Sequence, residues 1–236
     1  APQVHSWQAV LDALQAAHPQ RARGWRIELP PGGHGIVTAR YLQPEETAGD
    51  FFSPLLVSVH PQSGELLAQR FWGRFAATWV YDLHFSLLAG EPGVQTVGVM
   101  GLLFTLALLA GTLLWWPRRG HWRSALRLRL GGPLQRRHYD WHKALGLGGG
   151  AVLLVLALTG VVLALPAWLE PLFHRLGGHA PTPKVVALRL PGQPLLTLDA
   201  ALARVQQHLP DAVPRWVDTP AAGSAVLRVR DRKSVV

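Results

Sequence analysis

Two long apolar runs without a single charged side chain, residues 94–116 and 144–169, limit what this chain can fold into. A helix rises 1.5 Å per residue, so about 20 such residues cross the roughly 30 Å of hydrocarbon in a bilayer. Inside hydrocarbon every backbone N–H and C=O must find its partner within the protein. Both runs are therefore predicted to be membrane-spanning helices. Trp115-Trp116-Pro117-Arg118-Arg119 closes the first with an aromatic belt and a basic stop.

Charge supports the same reading. Only 16% of the residues are charged and 49% are hydrophobic, whereas soluble domains carry about 25% charged residues. The net charge of +9 concentrates between the spans. Residues 117–143 hold Arg118, Arg119, Arg123, Arg127, Arg129, Arg136, Arg137 and Lys143, and their only acid is Asp140. By the positive-inside rule this loop is cytoplasmic and the flanking soluble parts lie outside. Charge confined to a loop beside the membrane argues against nucleic acid as a partner and leaves topology, anionic lipid or a carboxylate-bearing cofactor.

The flanks read as small α+β units. Residues 5–18 repeat Trp7, Val10, Leu11 and Leu14 at helical spacing, and His18-Pro19 ends that helix. Strand-like runs follow at 25–29, 36–42, 55–60 and 65–71, separated by turns at Pro30-Pro31-Gly32-Gly33 and Pro61-Gln62-Ser63-Gly64. Residues 74–88 are rich in aromatics and suit a helix at the membrane surface. After the second span and a Pro/Gly-rich connector, a helix over 198–209 and strands over 215–218 and 225–230 are predicted. His18-Pro19, Trp25 and Ile36 match Leu209-Pro210, Trp216 and Leu227 at one constant offset, which marks an internal duplication.

The chain has no cysteine and 11 histidines. Disulfides, thiolate clusters and c-type haem attachment are excluded, so a metal or haem site must use histidine or carboxylate. Tyr-Asp-x-His occurs twice, at Tyr81-Asp82-Leu83-His84 and Tyr139-Asp140-Trp141-His142, near the start of each span. On a helix Gly146, Gly149, Leu153 and Gly160 fall near the face of His142. Two readings remain open: the glycines leave a groove for a flat macrocycle bound by imidazole, or they let a neighbouring helix approach. His138, one turn before His142, forms an i, i+4 pair without a third ligand for zinc. It is either solvated or close to a cofactor carboxylate together with Arg136 and Arg137. Gly146-x-Gly148-Gly149-Gly150 follows no strand, so it is not a phosphate-binding loop.

The stretches Tyr81-Asp82-Leu83-His84…Gly93…Gly111-Thr112-Leu113-Leu114-Trp115-Trp116-Pro117-Arg118 and Asp140-Trp141-His142…Gly146-Leu147…Leu158-Thr159-Gly160 resemble the second and third membrane helices of PepSY-associated transmembrane proteins. The flanking repeats resemble PepSY domains, and Trp141 stands where the family usually has Leu. The resemblance implies a helical transmembrane bundle, two spans of it present, with two small α+β PepSY-like periplasmic domains, the second truncated. The expected organisation is a PepSY-like domain at 1–73, interfacial and transmembrane helices at 74–116, a basic cytoplasmic loop at 117–138 and a second transmembrane helix at 139–169. A periplasmic connector at 170–195 and the truncated second PepSY-like domain at 196–230 complete it. Residues 231–236 resemble adapter-derived sequence, and the first and last family helices are expected to be missing.

By the same resemblance the protein is a multi-pass component of a bacterial inner membrane. It carries haem b at two sites, with His142 as a cytoplasmic-side axial ligand and His84 as a periplasmic-side one. It would pass electrons from an unknown cytoplasmic donor to a ferric siderophore. The alternative is a non-enzymatic, membrane-anchored PepSY module that binds or inhibits a periplasmic peptidase or supports a transporter.

Overall fold

The computed structural model describes residues 4–117, 120–121, 125–127, 132–176, 196–221 and 224–231. Much of the expected basic loop, most of the connector and the terminal segment from residue 232 lie outside the described residues. In chain order the elements are α1 (Trp7–Ala17), β1 (Trp25–Glu28), β2 (Val37–Tyr41), β3 (Leu55–Val59), β4 (Leu66–Phe71), α2 (Ala76–Ser86), α3 (Gly90–Trp115), α4 (Leu134–Ala164), α5 (Pro166–Arg175), α6 (Leu198–His208), β5 (Pro214–Asp218) and β6 (Arg228–Asp231). They group into two units, residues 1–80 with 181–236 and residues 81–180.

In the first unit six antiparallel strands form one sheet in the order β4-β3-β2-β1-β5-β6. Alternation along the strands sends Trp25, Ile27, Val37, Ala39, Val57 and Val217 to one buried face. Val10, Leu11 and Leu14 of α1 and Leu198 of α6 belong to the same core. Each fully buried side chain of this size contributes about 1.5–3 kcal/mol.

The sequence assigns the two repeats to separate domains, whereas the structure joins them in one sheet through β1 and β5. The offset that carries Trp25 onto Trp216 carries α1 onto α6 residue for residue. Under it the β1–β5 pairing is self-complementary. Ile27 faces Val217, the counterpart of Arg26, and Arg26 faces Asp218, the counterpart of Ile27. This is the logic of an isologous interface, built within one chain.

The helices repeat the exchange. Ser6 accepts from the Ala9 N–H, and its counterpart Thr197 accepts from the Ala200 N–H. The Asp199 carboxylate accepts from Trp7 N at 2.8 Å, Gln8 N at 3.2 Å and Ser6 Oγ at 2.6 Å. Gln8, the counterpart of Asp199, accepts at Oε1 from Leu198 N at 2.9 Å. Each helix thus satisfies orphan N–H groups at the start of the other. Two positive helix ends meet there, and the Asp199 charge suits both.

Beneath α1, His18 is buried against Trp25, with ring centroids 5.6 Å apart. Arg21 Nη1 donates to His18 Nδ1 at 3.2 Å, pairs with Glu46, and gives its backbone carbonyl to Trp25 Nε1. Desolvation, followed by the Arg21 charge, lowers the His18 pKa below the usual 6.5, against a smaller opposing effect of Glu46. The imidazole is therefore held neutral, with Nδ1 as acceptor.

In the second unit α3 and α4 are, among the described residues, the two helices long and apolar enough to cross a membrane. Their limits differ from the expected ones. α3 begins at Gly90, because the chain reverses just before it: Leu87 and Leu88 take left-handed φ values of 51° and 58°. Gly93 then lies so close to the Ser86 carbonyl that a Cβ would sit 1.7 Å from its oxygen. α4 begins at Leu134, ahead of the expected start at 139, so Tyr139 to His142 lie well inside the helix. It stops at Ala164 because Pro166 opens α5, which shortens the expected span to 169. The hydroxyls of Thr105, Thr112 and Thr159 donate to carbonyls of their own helices, as an apolar surrounding requires.

Asp199→Ala removes the acceptor for two helix-start N–H groups and is expected to lower the stability of the sheet unit by about 1–3 kcal/mol. Denaturant melts of the full chain followed by Trp fluorescence check this; an unchanged midpoint would refute the exchange. Because folded His18 binds a proton less readily than unfolded His18, the unfolded state takes up more protons below 6.5. Stability should then fall as pH drops from about 7 toward the folded-state value. His18→Gln should flatten that slope when melting temperature is plotted against pH.

Candidate functional site

α3 and α4 meet closely at one end and part at the other, and that divergence builds the site. At the closed end a Cβ on Gly98 would lie 2.5 Å from Leu165 Cγ, and one on Gly101 would lie 3.1 Å from Val161 Cγ2. Val94, Ala164 and Leu165 form a small core there, with Phe85 of α2 packed against it. The close approach of helices is thus carried by α3 glycines and not by those of α4.

At the open end lies an apolar groove of about 440 Å³ between the two helices. Its walls include His142, Gly146 and Gly150 of α4 and Phe104, Gly111 and Trp115 of α3. A Cβ added at Gly111, Gly146 or Gly150 would meet nothing within 4 Å. Residues 142, 146 and 150 follow one another at four-residue steps, so His142 stands below a smooth, glycine-faced wall. Gly149, expected beside Gly146, does not line the groove, and Gly160 faces open space farther along.

A second, polar cavity of about 570 Å³ shares Leu114, Trp115, Tyr139 and Lys143 with the groove. His121, Arg127 and Arg136 line it on the loop side. Asp140 is almost fully buried at its edge, with a side-chain exposure of 3%. Lys143 Nζ donates to Asp140 Oδ1 at 3.0 Å and to the Arg127 carbonyl at 3.0 Å, and it lies 5.8 Å from the Tyr139 ring centroid. A buried carboxylate left unpaired would be costly, and Lys143 offsets it. Together the cavities form an apolar slot with a basic, polar mouth.

The expected site residues divide accordingly. His142 and Gly146 line the groove, and Arg136 lines the polar cavity. Arg137 and His138 are exposed on the first turns of α4 and line neither. His84 is exposed near the end of α2, beside the Phe85 that packs at the closed end. From Val94, near Phe85, to Gly111, near His142, the rise along α3 is about 25 Å. The two histidines therefore lie toward opposite ends of the helix pair. Among the described residues no group of three or more His, Asp or Glu side chains converges as a metal site. Gly111, Gly150, Lys143 and the role of Asp140 were missed from the sequence. The four-residue step from His142 through Gly146 to Gly150 was the signal for one of them.

A pair of membrane-length helices combined with an antiparallel α+β sheet unit defines a membrane protein with an attached soluble part. More specifically, residues 2–230 match the family model PepSY_TM, the PepSY-associated TM region, and the chain belongs to that family. The comparison with curated proteins found no match.

Gly98→Ala places a methyl group against Leu165 and is expected to cost about 1–3 kcal/mol. Gly146→Ala and Gly150→Ala meet open space and should be neutral or gain up to about 1 kcal/mol from helix propensity. Thermal melts of the three detergent-solubilised variants check the contrast, and equal losses would refute the assignment of seam and groove.

Proposed function

We propose that this protein is a haem b electron carrier of a bacterial inner membrane that reduces ferric siderophores on the periplasmic side. One observation carries the proposal: His142 opens onto a glycine-walled slot that has space for a flat ring. The residues present fit the group. His142 supplies an imidazole nitrogen, the slot supplies an apolar bed, and the mouth supplies Arg127 and Arg136 for two carboxylates. His84 is the candidate ligand at the opposite end.

When bound, haem supplies a one-electron iron couple whose potential follows axial ligand, burial and hydrogen bonding. The chain's own residues do the rest. Phe104, Leu108 and Leu147 give the slot apolar walls. Lys143 neutralises Asp140, so that the buried acid does not repel carboxylates entering the mouth. The arginine-rich loop supports placing that end on the cytoplasmic side, where an electron donor would act.

The full chain expressed with ample haem and reduced with dithionite is expected to show Soret and α bands. His142→Ala and Gly146→Leu should each lower the Soret absorbance per protein by about half or more, one by removing the ligand and the other by filling the slot. Absence of bands in the wild type would overturn the proposal. Bands unchanged in both variants would overturn the placement at His142.

A further inference from the structure

The sheet face turned away from α1 and α6 carries charge that packing does not require. Alternation places Arg26 and Glu28 of β1, Arg40 of β2, Trp216 and Asp218 of β5, and Arg228 and Arg230 of β6 on this face. Strand register sets them in two rows. Arg40 stands opposite Arg26, Arg26 opposite Asp218, and Asp218 opposite Arg228. In the neighbouring row Glu28 stands opposite Trp216, and Trp216 opposite Arg230. Like charges directly opposite each other destabilise a sheet, yet Arg26 faces Arg40.

Each of the two acids serves two arginines. Asp218 pairs with Arg26 at 2.6 Å and with Arg230 at 3.2 Å. Glu28 pairs with Arg215 at 3.0 Å and with Arg40 at 3.9 Å. Arg228 is exposed beside them, so positive charge is in excess on this face. Side-chain exposures of 27% for Arg26 and 41% for Arg230 leave these guanidiniums within reach of a ligand. Arg230 Nε is itself buried and, among the described residues, has no hydrogen-bond acceptor, so it is the outer nitrogens of this guanidinium that a ligand would meet. Trp216 adds an aromatic surface, with the Arg215 guanidinium 5.9 Å from its ring centroid.

We infer that this face binds an anionic chelate of a trivalent metal ion wrapped by catecholate rings. Three doubly charged catecholates around a trivalent ion give a trianion with aromatic rings on its outside. Arginine forks answer the charged oxygens, and the Trp216 indole answers the rings. Neighbouring strands lie about 4.8 Å apart, so Arg26 and Arg228 are about 10 Å apart at the backbone, the span of a small three-armed complex. The inference rests on the reductase reading for the metal it assumes and names the chelate class such a reductase would take.

Gallium(III) complexes test binding without electron transfer, because gallium(III) is not reduced under these conditions. Equilibrium dialysis of the full detergent-solubilised chain against gallium tris(catecholate) and the neutral gallium tris(acetohydroxamate) is expected to show about tenfold or more preference for the trianion, shrinking with added salt. Arg228→Gln with Arg230→Gln should weaken trianion binding about tenfold and leave the neutral complex unaffected. Asp218 keeps Arg26 in that variant, and a circular-dichroism melt verifies its fold; if it fails to fold, Arg228→Gln alone serves. Equal binding of both complexes, no trianion binding by folded wild type, or undiminished binding by a folded variant would overturn the inference. Tight binding of the gallium trianion with no reduction of the ferric one would refute the reductase reading and leave this site standing.

Discussion

Hydrocarbon cannot hydrogen-bond to a backbone, and the membrane unit follows from that constraint. Residues 94–116 and the apolar part of α4 have no stable choice but helix. Two apolar helices in lipid gain little from burying leucine against leucine, since the lipid offers the same contacts. Association depends instead on close backbone approach, which Gly98 and Gly101 permit against Leu165 and Val161. Where α3 turns to Phe104 and Trp115 that approach ends, and the helices part around His142. One pattern of side-chain size along α3 thus sets both the seam and the slot.

In the sheet unit a different constraint does comparable work. A helix start leaves N–H groups without partners, and β1 would be left as a bare edge if its repeat ended there. The second repeat answers both needs. β5 covers the edge, and the Gln8–Asp199 exchange satisfies N–H groups at both helix starts. The exchange is nearly symmetric in position but not in chemistry. One side is a neutral amide and the other a carboxylate, so the single negative charge lies where two helix dipoles converge. Two aspartates would repel one another there, and two glutamines would leave the positive ends unanswered.

Much of this was legible in the sequence, and the reasons for success and failure are local. Hydrophobic period gave α1, α6 and most strands, since one face of each is buried. The constant offset between Trp25 and Trp216 revealed the repeat, but nothing in either copy says that their first strands pair with each other. That pairing is a long-range choice, made by matching Ile27 to Val217 in register. The start of α4 was misplaced by counting apolar residues. The polar turns from Leu134 to Lys143 are helical although no lipid requires it, and hydropathy is blind to them. The α2–α3 reversal occurs at Leu87 and Leu88, where left-handed backbone on leucines is hard to foresee. The glycines of α4 left groove and packing equally open. Only the position of α3 decides between them, and the decisive glycines, Gly98 and Gly101, lie on the other helix.

The same reasoning explains why Tyr139-Asp140-Trp141-His142 is more than a lip to a span. Four consecutive helical residues point in four directions about 100° apart. Tyr139 borders both cavities, Asp140 turns inward beneath the polar one, and His142 turns to the apolar slot. Lys143, one residue on, ties Asp140 to the Arg127 carbonyl and so joins the start of α4 to the loop before it. A buried acid is a poor source of stability in itself. Its value here is positional: with Asp140 paired, Lys143 is held at the boundary between slot and mouth, where a mobile lysine side chain would otherwise extend into water. The charge at the mouth and the imidazole in the slot are thereby fixed to one turn of one helix.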